Sequence, residues 1–165
     1  MPTVEQYFLQ SSARLLKEDF LPKIEQAVAK LSEAEVWARP NAESISIGNL
    51  LLHLSGNARQ HIVSGLGGAD DIRVRHAEFQ ESDQPFKENL LKALRDTVEE
   101  ACTTIQNLDP ELLITTRVIQ NKELLVLEDI LHVVEHFSYH SGQIIYQVKA
   151  IKNTSFPWYD YLKKT

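Results

Sequence analysis

Apolar residues recur at three- and four-residue intervals in four segments of the chain, a spacing that places them on one face of an α-helix. The first segment covers about residues 3–31 and the second about residues 46–64. The third covers about residues 86–108 and the fourth about residues 126–152. Four long helices in a chain of 165 residues predict an all-α four-helix bundle, with residues 1–165 forming a single domain.

The ends and joints of these segments carry recognisable signals. Ser46 is suited to cap the N-terminus of the second helix, and Pro110 follows the end of the third. Pro22 lies inside the first segment, where a proline is expected to kink the helix. A proline-containing loop covers residues 37–43, and a long polar crossing covers residues 67–84. A short extended piece covers residues 113–119, and an aromatic tail at residues 156–162 follows the fourth segment. We expect the tail to dock on the bundle.

The fourth segment carries three histidines, His132, His136 and His140, at intervals of four residues. On a helical wheel with about 100° per residue, its apolar stripe lies at about 100–220° from His132. His136 then lies at about 40° and His140 at about 80°, on the border of the core, whereas His132 should be more exposed to solvent. Two imidazoles one helical turn apart can bind one metal ion, so His136 and His140 are candidate ligands.

The second segment contains two further histidines, and the pattern leaves open which of them faces the core. With His53 at zero on the wheel, the apolar stripe centres at about 120° and His61 lies at about 80°. Periodicity therefore slightly favours His61 as the inward histidine. A third nitrogen from this helix would complete a site that keeps an open position for water or substrate.

Composition and charge exclude several classes of function. Hydrophobic residues make up 43% of the chain and charged residues 24%, a balance typical of a globular protein with a real core. A net charge of -6 and a pI of about 5.5 argue against a nucleic-acid-binding surface. The chain shows neither a signal-peptide pattern nor an apolar stretch of about 18 residues, so we expect a cytoplasmic protein without a membrane segment. Cys102 lies in the apolar register of the third segment, which indicates a buried side chain rather than a nucleophile.

Three stretches resemble the DinB-like superfamily of metal-binding four-helix bundles, and most closely a bacterial branch of uncharacterised function. They are N-L-L-L-H-L-S-G-N-A-R-Q-H-I in the second segment, R-V-R-H-A-E-F after it, and L-H-V-V-E-H-F-S-Y-H-S-G-Q-I in the fourth. The resemblance implies a metal site formed by His53, His136 and His140, and so prefers His53 to His61. It also implies zinc or nickel as the bound ion.

Two positions depart from the superfamily pattern. Ser141 stands where many members have an arginine, which leaves open how an anionic substrate would be held, and His76 replaces a more usual acid. Arg73 and Arg75, in the same loop as His76, form a small basic patch. They could hold a carboxylate substrate or take part in surface ion pairs.

Some members of the superfamily use their metal ion to activate a low-molecular-weight thiol for transfer or isomerisation, and others have no known activity. The resemblance therefore implies a metal-dependent enzyme that activates a thiol or water for transfer to, or hydrolysis of, a small molecule. The alternative is a non-catalytic metal-binding or stress-response bundle with a vestigial site, so whether the protein is an enzyme stays open. By analogy with helix-bundle relatives, we expect a homodimer.

Three further side chains are candidates for the surroundings of the metal. On the wheel, Asp129 lies at about 60° and Gln143 at about 20°, close to the face of His136. Asn57 lies one turn after His53 and could line the pocket. Asp129 could orient an imidazole, although a solvent-exposed helix acid is the simpler interpretation.

Overall fold

The computed structural model describes residues 1–80 and 84–164, with side chains described as far as residue 160. Within this part of the chain, four long helices, called bundle helices below, pack around one apolar core. The third bundle helix is Lys87–Gln106 and the fourth is Val126–Lys152. The first and the second bundle helices each pack against both of these. The predicted all-α four-helix bundle is confirmed.

The first and second bundle helices each contain a wider, π-helical segment. The first consists of Val4–Arg14, the π-helical Leu15–Phe20, and Leu21–Val28. The second consists of Ile47–Ala58 and the π-helical Arg59–Ser64. A π-helix bonds each N–H to the carbonyl five residues earlier, so it has more residues per turn than an α-helix. The side chains after such a segment point in directions that a uniform helical wheel does not predict.

Pro22 follows the π-helical part of the first bundle helix directly. Proline has no N–H to donate to the carbonyl four residues earlier, which normally kinks or breaks an α-helix. Here the backbone N–H of Leu21 bonds to the carbonyl of Leu16, five residues back, and the chain remains helical through Pro22. The widened turn thus accommodates the proline, and the helix ends at Val28, three residues before the predicted end.

Short elements connect and follow the bundle helices. A single α-helical turn and a half, Glu33–Trp37, follows the first, and a 3₁₀ turn, Arg75–Phe79, lies within the predicted polar crossing. Residues 81–83 of that crossing lie outside the described residues. Another 3₁₀ turn, Pro110–Ile114, precedes a hairpin of two antiparallel strands, β1 (Thr116–Ile119) and β2 (Lys122–Leu125). The predicted extended piece at 113–119 is therefore a strand only in its second half.

The capping of the second and fourth bundle helices fixes the elements that carry the histidines. The Ser46 hydroxyl accepts a hydrogen bond from the Asn49 backbone N–H at 3.1 Å, and the Asn49 side chain accepts one from the Ser46 N–H at 3.2 Å. This reciprocal pair satisfies two N–H groups that the helix start would otherwise leave unpaired. At the C-terminus of the fourth bundle helix, Asn153 takes the left-handed conformation, with φ of 45°, that commonly ends a helix.

The core and the tail agree with the sequence pattern. Large apolar side chains with no exposed surface fill the space between the bundle helices, among them Leu50, Leu54, Leu94, Ile130 and Phe137. Cys102 is buried with them, as predicted. In the tail, the rings of Phe156 and Trp158 stack, and the Trp158 indole N–H donates to Gln26 on the first bundle helix at 2.8 Å. The tail docks on the bundle as far as side chains are described, which excludes Tyr161 and Leu162.

No helix in residues 1–80 and 84–164 combines the length and the apolar character needed to cross a membrane.

Candidate metal centre

Three histidines from two facing bundle helices come together beside the core. His53 on the second bundle helix has 7% of its surface exposed, and His140 on the fourth has 9%. His136, one turn before His140, is half-buried. One ring nitrogen from each of the three lies within 4.8 Å of the other two. The ring centres are 4.8 Å apart for His53 and His136, 5.2 Å for His53 and His140, and 4.4 Å for His136 and His140.

The nitrogens of this cluster are suited to a divalent transition-metal ion. The buried Nε2 of His136 has no hydrogen-bond partner within the described part of the chain, an arrangement that costs free energy unless a ligand occupies it. Burial, together with the neighbouring His140 and His53, lowers the pKa of His136 to about 3. The imidazole is therefore neutral at physiological pH and has a lone pair to donate. Two zinc–nitrogen bonds of about 2.1 Å at a tetrahedral angle place their nitrogens roughly 3.4 Å apart, so modest side-chain rotations would bring the three nitrogens to binding distance.

A carboxylate behind His53 determines which of its ring nitrogens is available. Glu78, in the 3₁₀ turn Arg75–Phe79, accepts a hydrogen bond at its Oε2 from Nδ1 of His53 at 2.7 Å. A carboxylate only accepts, so the ring hydrogen is on Nδ1 and the lone pair is on Nε2. Carboxylates commonly orient metal-binding histidines in this way. Glu78 was not a sequence candidate, because an acid in an aperiodic loop 25 residues from its histidine carries no pattern.

Arg73 completes this arrangement from the other side of Glu78. Its Nε donates to Glu78 Oε1 at 2.6 Å, and a terminal nitrogen donates to Oε2 at 3.0 Å. Burial alone would raise the pKa of the Glu78 carboxyl group. The hydrogen bonds from His53 and Arg73 have the larger combined effect, so this pKa lies below its usual value. Arg73 therefore lies in a buried ion pair beside the site rather than in an exposed basic patch. Arg75 is exposed and lies over the ring of Phe79, 5.3 Å from its centre.

His140 is oriented by a residue of its own helix. Its Nδ1 donates to the side-chain oxygen of Gln143 at 2.7 Å, which leaves Nε2 as the lone-pair nitrogen. Burial lowers the pKa of His140, the bond to Gln143 raises it, and the nearby His53 lowers it further, with a net decrease. Gln143, a sequence candidate for the surroundings of the metal, thus orients the ring of His140 by a direct hydrogen bond. Ser141, where the superfamily pattern often has arginine, is buried, and its hydroxyl has no hydrogen-bond partner among the described residues.

Asp129 and His61 form a second buried pair, which corrects the interpretation of Asp129 as a solvent-exposed acid. Asp129 is 1% exposed rather than solvated, and its Oδ1 accepts a hydrogen bond from His61 Nδ1 at 2.6 Å. Asp129 does orient an imidazole, the alternative that the sequence left open, and the ring is that of His61 because this side chain reaches across from the facing helix. His61 is also buried, and its ring centre lies 5.1 Å from that of His132. His132 is exposed, as the wheel predicted.

A cavity of about 380 Å³ joins these groups. His53 and His136 lie along its wall, as do His61 and His132. Asn57 lines it too, in agreement with the sequence-based expectation, and its buried side-chain oxygen has no partner in the described chain. The remaining lining is mostly polar and charged, with two apolar side chains, and consists of Arg73, Arg75, Ile119, Gln120, Lys122, Leu124, Glu128 and Asp129. A small molecule could therefore reach the histidines from one side.

Comparison with known proteins places the chain in a family. The sequence matches a family model over residues 3–163, and the family is described as "Protein of unknown function (DUF1572)". The chain belongs to this family. The search of curated proteins found no match.

Two solved structures share the fold of this DUF1572 member. A conserved protein from Enterococcus faecalis is 16% identical, with a TM-score of 0.76 over 93% of this chain and 100% of its own. A DinB-like protein from Bacillus cereus is 14% identical, with a TM-score of 0.65 over 87% of this chain and 90% of its own. At these identities the likeness shows the fold alone. The DinB-like fold that the resemblance implies is confirmed, and the match to a family of unknown function is consistent with an uncharacterised branch.

Proposed function

We propose that this protein is a metal-dependent enzyme that activates a thiol or water for transfer to, or hydrolysis of, a small molecule. The observation that carries the proposal is the convergence of three imidazoles, one with a buried Nε2 that has no partner among the described residues, beside a cavity of about 380 Å³. Three neutral nitrogen ligands leave an ion its full charge and an open position, which a purely structural site rarely does.

His53, His136 and His140 would hold the ion, and imidazole nitrogen suits zinc or nickel. When bound, the ion supplies positive charge that favours the deprotonated, nucleophilic form of a thiol or water. Among the described residues, the cavity lining contains no cysteine, serine or threonine. Cys102 is buried in the core, where burial raises its pKa to about 11. The attacking group would therefore come from solution, as a small-molecule substrate or co-substrate.

The other side chains of the site would orient the metal ligands and bind the substrate. Glu78 and Gln143 hydrogen-bond the Nδ1 atoms of two ligands, His53 and His140, so that each would present Nε2 to the ion. Asn57, with an amide in the cavity wall, is placed to hydrogen-bond a polar substrate. Arg75 is exposed on the cavity lining and is the side chain that could take an anionic group, because Arg73 is already paired with Glu78.

The test begins with the metal and continues with activity. Protein purified without a histidine tag should contain about one tightly bound divalent ion per chain by elemental analysis. His136→Ala and His140→Ala should abolish tight binding, and His53→Ala should weaken it strongly. The exposed His76, outside the cavity lining, provides the matched control, and His76→Ala should bind as wild type does.

The metal-loaded protein is then assayed with small thiols and an alkylating acceptor, and with simple esters and amides. Activity that requires the ion and is lost in His140→Ala supports the proposal. A protein that binds the ion tightly but is inert with every substrate would favour the non-catalytic metal-binding or stress-response role. A protein that binds no ion would leave a vestigial site.

A further inference from the structure

Two histidines of the second bundle helix, His53 and His61, are held by carboxylates in the same way. Nδ1 of His53 lies 2.7 Å from a carboxylate oxygen of Glu78, and Nδ1 of His61 lies 2.6 Å from a carboxylate oxygen of Asp129. Both histidines and both acids are buried. In each pair the acid can orient the ring with Nδ1 as donor, which leaves Nε2 free to bind an ion.

Each of the two histidines also faces a histidine of the fourth bundle helix. The ring centre of His53 lies 4.8 Å from that of His136, and the ring centre of His61 lies 5.1 Å from that of His132. All four side chains line the same cavity. The pair of His61 and His132 therefore repeats the arrangement of His53 and His136. It lies after His53 on the second bundle helix and before His136 on the fourth.

The charges around the two acids differ in a way that points to a cation near His61. Glu78 is neutralised by Arg73, whose Nε lies 2.6 Å from its Oε1. Within residues 1–80 and 84–164, the ion-pair partner of Asp129 is His61, and the Oδ2 atom of Asp129 has no hydrogen bond. A carboxylate that is 1% exposed costs free energy unless positive charge lies close to it. A divalent ion on Nε2 of His61 would supply that charge.

An oxygen ligand is available one turn away. Glu128 lies four residues before His132 on the same helix, so the two side chains project from the same side. Glu128 is exposed and lines the cavity with both histidines. Carboxylate oxygen and imidazole nitrogen together are a common ligand set for zinc and its neighbours.

We propose that His61, His132 and Glu128 form a second site for a divalent transition-metal ion, distinct from the site of His53, His136 and His140. This site has one nitrogen ligand fewer, and its carboxylate must move from solvent to reach the ion. Lys122 also lines the cavity and repels a cation. The second ion therefore binds more weakly than the first. Binding does not depend on any catalytic activity of the protein.

The test is a metal titration of tag-free protein that has first been stripped with a chelator. Zinc binding is followed by calorimetry with a competing chelator, and cobalt binding by visible absorption. Wild type should take up two ions per chain in two steps, the second at least about tenfold weaker than the first. Because His132 is exposed, His132→Ala should leave the fold intact, and it should remove the second step alone. His61→Ala should do the same, and His76→Ala, outside the cavity, should keep both steps.

Asp129→Asn tests the orienting acid separately. It keeps the shape of the side chain and removes its charge, so it should weaken the second step by about 10- to 100-fold and leave the first unchanged. Glu128→Gln should also weaken only the second step. Circular dichroism of each variant checks that the bundle is folded.

The outcomes separate this inference from the proposed function. Saturation of wild type at one ion, lost in His140→Ala, overturns the second site and leaves the proposed function standing; His61 would then be a charged partner of Asp129. A second ion that survives both His61→Ala and His132→Ala is adventitious and also overturns it. If wild type binds two ions in two steps and His140→Ala loses only the first step, the result supports both sites. A single ion lost in His132→Ala and kept in His140→Ala supports the second site and overturns the proposed function.

Discussion

Glu78 Oε2 lies 2.7 Å from Nδ1 of His53, although 25 residues separate the two along the chain. The contact joins an irregular loop to the second bundle helix at the point where the candidate metal site is formed. It also decides the chemistry of His53, because a ring that donates through Nδ1 has its lone pair on Nε2. The loop is therefore part of the site and not only a connection between helices.

The first prediction concerns this contact. Glu78→Gln keeps the size of the side chain but removes the charge that holds the Nδ1 hydrogen of His53, so metal affinity should fall by about 10- to 100-fold. Affinity is measured by zinc titration against a competing chelator. Glu88→Gln, at an exposed position at the start of the third bundle helix, is the matched control and should bind as wild type does.

The same variant removes the ion-pair partner of Arg73, whose side chain is only 5% exposed, so a lower melting temperature is also expected. Affinity is therefore compared at a temperature where circular dichroism shows both proteins folded. Unchanged metal affinity in folded Glu78→Gln would contradict the orienting role.

The sequence predicted the fourth bundle helix well. Its bounds agree with the structure, and the wheel placed His140 next to the core and His132 in solvent. This succeeded because the helix is α-helical over its whole length, so about 100° per residue holds from one end to the other. The short-range arrangement of His136 and His140 follows from that regularity alone.

The same wheel was less informative for the second bundle helix. It favoured His61 over His53, and in the structure both are buried. His61 lies inside the π-helical segment Arg59–Ser64, which has more residues per turn, so the direction of its side chain does not follow from the α-helical step of about 100° per residue. Only the family resemblance selected His53. Glu78 and the buried state of Asp129 could not be predicted, because both depend on partners from distant parts of the chain.

A second prediction concerns pH and the short helix Glu33–Trp37. Glu35 accepts a hydrogen bond from the Lys152 ammonium at 2.8 Å, and its side chain also bonds to the Ser32 backbone N–H at 2.7 Å. The bond from Lys152, followed by that from Ser32, lowers the pKa of Glu35 to about 2 from an ordinary 4.5. A pKa that is lower in the folded state contributes stability above the unfolded pKa and loses it as the pH falls through the folded one.

Glu35→Gln should therefore lower the urea midpoint at pH 7, and the difference from wild type should shrink as the pH falls from about 4.5 towards 2. Glu43→Gln, in an exposed loop, should differ little from wild type over the whole range. A midpoint difference for Glu35→Gln that is the same at pH 7 and at pH 3 would show that the charge of Glu35 does not contribute.

A third prediction is that the protein is a homodimer. Exposed apolar side chains, including Tyr7 on the first bundle helix with 57% of its surface exposed, would be covered by a second copy. Sedimentation equilibrium at micromolar concentration should give twice the 18.8 kDa of the chain. A mass that stays at that of one chain at all concentrations tested would rule the dimer out.

A fourth prediction is that the protein does not bind nucleic acid specifically. A net charge of -6, with 17 Lys and Arg residues against 23 Asp and Glu, gives little basis for neutralising phosphates. Fluorescence anisotropy with labelled duplex DNA near physiological ionic strength should show no binding. Binding that weakens steeply with added salt would be the opposite result, because release of counterions from DNA gives that dependence.

The last prediction concerns the source of the nucleophile. Cys102 is buried, its thiol lies 3.3 Å from the carbonyl oxygen of Ala13, and burial raises its pKa to about 11. Only the thiolate reacts, so at pH 8 iodoacetamide should label native Cys102 at least about 100-fold more slowly than the chain unfolded in guanidinium chloride. Under the proposed mechanism the attacking thiol comes from solution, so Cys102→Ala should bind metal as wild type does and keep any thiol-transfer activity. If Cys102→Ala is folded and metal-loaded but inactive, the nucleophile is internal and the proposed mechanism is wrong.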